Sequence, residues 1–249
     1  MSCTPRAVLC GVALATVLGA RPAYAIRPFV TDDARVVGRH CGQIETWLRA
    51  DRGGFQHWAL FALGPVGPVE LTLGGVYGAT FRDGGGRFGA TGPLVQGKFL
   101  LRETRFGAGP GVAVSAGGVP PWHVGEFGAP GWDGFAFVAL TQALRNHERM
   151  FLHANVGVYG TTAPVSRAVS LTWGVGIQAH VVAGFNLVAE VFSGDPYDGR
   201  AGGASQAGFR YIFSDAVQVD ATVGHGLWGD RVAPLWGTIG LRLASEALW

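Results

Sequence analysis

Every second residue of the stretch Leu235 to Trp249 is apolar or small: Leu235, Gly237, Ile239, Leu241, Leu243, Ser245, Ala247 and Trp249. Thr238, Arg242 and Glu246 fall between them. Period two predicts a β-strand with one apolar face and one mixed face, ending on an aromatic. The same period recurs upstream. Gln43 to Ala50 sets Gln43, Glu45 and Arg49 against Ile44, Thr46 and Leu48. Val69 to Phe81 sets Leu71, Leu73 and Tyr77 against Glu70 and Thr72, and Leu94 to Glu103 sets Val95, Phe99 and Leu101 against Gln96, Lys98 and Arg102. Further strands are predicted over Met150 to Gly160, Ala168 to Val182, Phe185 to Ser193, Ala204 to Phe213 and Ala216 to Leu227. Three segments read less cleanly. Phe55 to Leu63 alternates poorly, Phe106 to Gly117 is small and glycine-rich, and Trp132 to Leu144 is apolar on both faces, so its sides stay unassigned.

The connections predict how these twelve strands close. Asp51–Gly54, Arg82–Gly89, Gly118–Gly131, Thr161–Arg167, Gly194–Gly203 and Trp228–Pro234 form a mostly long set. Gly64–Pro68, Thr104–Arg105, Arg145–Arg149, Ala183–Gly184 and Ser214–Asp215 form a mostly short one. A soluble sandwich could also end on an amphipathic edge strand, but it has no reason to sort its turns by length. A sheet in hydrocarbon must close on itself so that every backbone amide finds a partner. The expected fold is therefore all-β: a transmembrane antiparallel up-and-down barrel of about twelve strands, residues 41–249, with its short turns and both termini on the periplasmic side.

The N-terminus predicts export. Arg6 supplies a positive start, Ala7 to Ala20 an apolar core, and Ala23-Tyr24-Ala25 a cleavage site, which makes residues 1–25 a signal peptide. Cys10 follows Leu9 rather than a small residue, so no lipid anchor is expected. Cleavage after Ala25 leaves 17 basic and 17 acidic residues and one cysteine, Cys41. Zero net charge gives no case for nucleic acid, and one cysteine makes neither an internal disulfide nor a metal site. Lys98 is the single lysine. No apolar run long enough for a spanning helix follows the signal.

By alternation, the residues expected to line the lumen are Glu45, Arg49, Glu70, Lys98, Arg102, Glu190, Arg210, Asp220 and Arg242. Their signs are mixed. Across a narrow lumen such charges brace the wall as a paired network or form a polar constriction for a solute. Residues 26–40 carry no period and read as a periplasmic extension, a plug in the lumen or a linker. The stretch Gly118 to Gly131 holds Pro120, Pro121, Trp122, His123 and Phe127, a proline-stiffened aromatic loop that could gate the mouth or rest on lipopolysaccharide.

"RPFVTDDAR", followed by "QIETW", "KFLL", "LVAEVFSG" and "VQVDATVGHGL", resembles a family of outer-membrane barrels named for the meta-pathway of phenol degradation. The resemblance spans most of the chain after the signal. It implies a barrel of about twelve strands that passes small, often apolar or aromatic compounds, and it carries no catalytic motif. The residues agree. His153, His180 and His225, and Ser170 and Ser205, show no spacing that ties a nucleophile to a base. No phosphate-binding loop, G-x-S-x-G or metal cluster is present in the sequence. The expected activity is passive passage of small solutes, with no catalytic residue, cofactor or metal. A structural or surface-recognition barrel is the alternative, and a lipid-modifying barrel enzyme a more distant one. Expected partners are outer-membrane lipid and lipopolysaccharide, small solutes, and the barrel assembly machinery through the closing strand that ends at Trp249.

Overall fold

The computed structural model describes residues 29–82, 85–125, 127, 131–144, 149–163, 168–195, 202–229 and 232–249. The expected signal peptide lies outside them. The strands are β1 (Gly42–Asp51), β2 (Gly54–Val66), β3 (Val69–Arg82), β4 (Gly85–Arg102), β5 (Gly111–Val119), β6 (His123–Gly125), β7 (Asp133–Ala143), β8 (Met150–Thr161), β9 (Ala168–Val182), β10 (Phe185–Ser193), β11 (Gly203–Ile212), β12 (Val217–Trp228) and β13 (Trp236–Ala244). All neighbours run antiparallel in sequence order, with β5 beside β7. β1 pairs with β13 from Gln43↔Ala244 to Asp51↔Trp236, and that seam closes the cylinder. Twelve strands make the closed wall. β6 is a short thirteenth that rides on β4.

The pleat explains why this sequence closes. Alternate side chains point to opposite faces, and here the faces are inverted relative to a soluble core. Outside lie Leu71, Leu73, Val95, Phe99, Leu171, Val175, Leu187 and Ile239, all exposed. Inside lie Gln43, Thr72, Gln96, Gln178, Gln206 and Gln218, all buried. Aromatic pairs mark the outer face toward the end away from the C-terminus, among them Trp173 and Trp228 with centroids 6.2 Å apart.

Three expected boundaries need correction. β4 starts at Gly85, not Leu94. Its first half has no alternation to read, yet it pairs with β3 through Tyr77↔Ala90, Ala79↔Phe88 and Phe81↔Gly86. A ladder needs backbone, not a side-chain pattern. β5 starts at Gly111, not Phe106, because Arg102 Nε donates to Pro110 O at 2.6 Å and folds the preceding residues into a connection. β13 stops at Ala244, not Trp249. Beyond it the chain crosses the end of the barrel, where Leu248 N donates to His40 O at 2.7 Å and the Trp249 ring lies 5.1 Å from that of His40.

The sorting of turns changes with them. β1–β2 and β3–β4, expected to have long connections, leave only residues 52–53 and 83–84 between strands, while β4–β5, expected to be tight, spans 103–110. From β9 on the expected order holds: Ala183–Gly184, with both residues at positive φ, and 213–216 are short, and 194–202 and 229–235 are long, whereas 144–149 and 162–167 are equal in length. The end holding the tight 183–184 turn and the C-terminal residues is the base; the other is the mouth.

Candidate functional site in the barrel lumen

The lumen is occupied. Residues 29–37 run through it from mid-height down to the base, and side chains of β3, β4, β7, β8 and β10 hold them. Val30 N and Thr31 N donate to the two oxygens of Glu190 on β10, at 2.7 and 2.8 Å. The Asn155 amide on β8 pairs with both backbone groups of Asp32, accepting from its N at 2.6 Å and donating to its O at 2.8 Å. Ala34 N donates to Thr141 Oγ1 on β7 at 2.9 Å. Val37 N donates to Glu70 Oε2 on β3 at 2.7 Å. These partners answer one physical demand: an extended segment off the sheet has amides that buried surroundings must satisfy.

Charge adds to this. Lys98 Nζ on β4 lies 2.9 Å from Asp32 Oδ2 and 3.6 Å from Asp33 Oδ1. Arg35 Nε lies 3.2 Å from Asp33 Oδ2, and its guanidinium sits 4.8 Å above the Phe151 ring. Burial pushes the Asp33 carboxyl up, and Arg35 and Lys98 pull it the other way. Close approach is possible because β9 presents no side chain where the segment lies. A Cβ on Gly174 would sit 2.3 Å from Thr31 Oγ1, and one on Gly176 would sit 3.3 Å from the Phe29 ring. The space left between Val30, Thr31, Phe137, Thr172 and Phe192 is about 10 Å³, room for at most one water.

At the base the chain is tied down before it enters β1. His40 N donates to Gly64 O at 2.6 Å and Gly64 N to Cys41 O at 3.0 Å. His40 takes a positive φ of 62°, which marks the bend between the luminal segment and the wall.

The structure puts the expected lumen residues in four settings. Glu70, Lys98 and Glu190 are buried and hold the segment. Glu45, Arg210, Asp220 and Arg242 are buried in a separate network on β1, β11, β12 and β13. There Arg210↔Asp220 and Glu45↔Arg242 are register partners, Arg242 Nε donates to Gln43 Oε1 at 2.7 Å, and Gln43 Nε2 donates to Glu45 Oε1 at 2.9 Å. Arg49 lies near the mouth, its guanidinium 4.5 Å above the Trp236 ring. Arg102 is a correction: a register shift between Leu100 and Arg102 takes it out of the alternation, and it is exposed at the base.

Of the loop expected to gate the mouth or rest on lipopolysaccharide, residues 126 and 128–130 lie outside the described residues. Trp122 and Val124 are highly exposed and His123–Gly125 extends the wall as β6. Trp122 O accepts from Gly92 N at 3.3 Å and Thr91 Oγ1 at 3.2 Å. Pro93 lacks an N–H, so the ladder lapses beside it and resumes as β6. Pro120 and Phe127 are buried and Pro121 half-buried.

Period two alone understated the aromatic side of the lumen. Trp47 and Trp58 stack with centroids 5.4 Å apart and planes 3° from parallel. They form one buried cluster with Leu60, Val76, Leu94, Phe135, Phe137 and Tyr159, and Ala34 of the luminal segment packs into it. Trp47 has the same parity as Glu45, which was a usable signal. β7 hid its inward Phe135 and Phe137 because its outward residues are apolar too.

Fold and site together define a transmembrane β-barrel of the outer-membrane type, with its own N-terminal segment in the lumen. The chain belongs to the family described as Uncharacterised conserved protein UCP029691, whose model matches residues 13–245. No functionally curated protein matches the sequence. Solved structures are similar in fold. The COG4313 outer membrane channel from Pseudomonas putida F1 has a TM-score of 0.60 at 8% identity, covering 82% of this chain and 94% of that one. The KdgM porin in complex with disordered oligogalacturonate has a TM-score of 0.57 at 8% identity, over 82% and 99%. The NanC porin has 0.51 at 10% identity, over 83% and 100%.

Proposed function

We propose that the protein is an outer-membrane channel for small solutes with an apolar or aromatic face, held shut by residues 29–37. The observation that carries this reading is how the segment is held. Its amides meet side chains of the wall, and among the described residues no backbone-to-backbone bond joins 29–37 to a strand. A permanent part of the wall would share the ladder. A segment bonded only through side chains can leave and let water take its place. The aromatic half of the lumen and the resemblance to the meta-pathway barrels support the solute class. The signal peptide expected over residues 1–25 and the fold support the outer membrane. His153 Nδ1 meets Thr141 Oγ1 at 3.0 Å, and its ring lies 5.8 Å from that of Phe29 in the segment.

The packed space around Val30 and Thr31 favours one other reading, a closed structural barrel. Refolding the chain with and without residues 29–37 into liposomes separates the two. Flux of a single-ring aromatic probe is expected to be low through the intact barrel and high through the shortened one. Equal, low flux through both would leave the structural barrel standing.

A further inference from the structure

We infer that the luminal segment occupies a binding site for single-ring aromatic carboxylates, and that such a solute opens the channel by taking the segment's place on Lys98. This rests on the channel reading above and names its substrate class. Three observations meet at one row of the inner wall. Lys98, Ser115 and Phe137 are register partners across β4, β5 and β7. Lys98 is 4% exposed and holds two carboxylates of the segment. Ser115 is equally buried, and its hydroxyl has no hydrogen-bond partner among the described residues. The Phe137 ring stacks on Phe135 with centroids 6.2 Å apart, and the cluster behind it takes the methyl of Ala34.

The segment therefore presents two features at this row: carboxylates for the ammonium, and a small apolar group for the aromatic wall. It leaves a third unmet. A buried hydroxyl without a partner is costly, and a carboxylate on Lys98 has a second oxygen to accept from Ser115. Two strand spacings of about 4.8 Å separate the lysine's strand from the ring's, and the long lysine side chain leans across part of that span. A carboxylate borne directly on one aromatic ring satisfies all three groups at once. A neutral arene leaves Lys98 with the aspartates, and a small aliphatic acid leaves the ring face bare.

The test uses the full chain in liposomes with an entrapped neutral dye, and benzoate, benzamide and acetate as probes. Folding of each variant is checked by heat-modifiable migration. Benzoate is expected to release dye at concentrations roughly tenfold or more below those of benzamide or acetate, the scale of one charge-assisted hydrogen bond. Ser115→Ala is expected to move the benzoate response to roughly tenfold higher concentration, and Lys98→Gln to abolish the benzoate increment. Asp32→Asn, which weakens the competing ligand, is expected to sharpen it. Equal potency of benzoate and benzamide, or an unchanged benzoate response in Lys98→Gln, overturns the inference. Deletion of residues 29–37 tells the two failures apart. A leaky deletion barrel with an inert benzoate leaves the channel standing without this solute, and a silent deletion barrel removes the channel as well.

Discussion

The side chains of this protein answer to two solvents, and position alone decides which. Val175 and Gly176 are neighbours on β9. One faces out, the other meets Glu190 and the Phe29 ring. A valine at Gly174 has no room beside Thr31 and Phe192. Gly174→Val is thus expected to expel the luminal segment while the barrel still folds, seen as dye leakage with unchanged heat-modifiable migration. The braced side should respond differently. Arg242 is 1% exposed and ties β13 to Gln43. Arg242→Ala leaves carboxylate and amide partners buried without their cation and is expected to cost about 3 kcal/mol in urea unfolding from vesicles. At this scale alternation made Lys98, Glu190, Asp220 and their like legible. It could not reveal what they hold, because Glu190 meets Val30 from 160 residues away.

Strands were legible where their two faces face unlike surroundings. β9 and β10 matched their expected spans to the residue. β4 was half missed because its glycine-rich start carries a ladder and no pattern. β7 kept its sides hidden because an aromatic inner face and an aliphatic outer face look alike in polarity. Turn sorting suffered for the same reason: lengths inferred from misplaced strand ends inherit their error. The outward face of β9 offers a check on the wall itself. Val175 lies in mid-strand and is half exposed. Val175→Arg is expected to lower stability in a bilayer by about 2–4 kcal/mol, the penalty for a cation near the membrane midplane. Arginine at Val169, near the mouth, should cost far less in the same assay.

For the molecule as a whole, closure is what the sequence announced most clearly, through an even set of amphipathic strands and a patterned last strand. Its contents were less clear, since an aperiodic stretch such as residues 29–37 gains its shape from the walls around it. On the channel reading proposed above, that stretch would stay attached to the base after leaving its seat, because His40 and Cys41 are bonded to Gly64. A leash so short keeps the stopper near its seat at an effective concentration on the order of millimolar. A competing molecule of similar affinity has to reach comparable abundance to keep the passage clear. On that reading the device would answer to glut and ignore traces, and would reseal without outside help once supply falls.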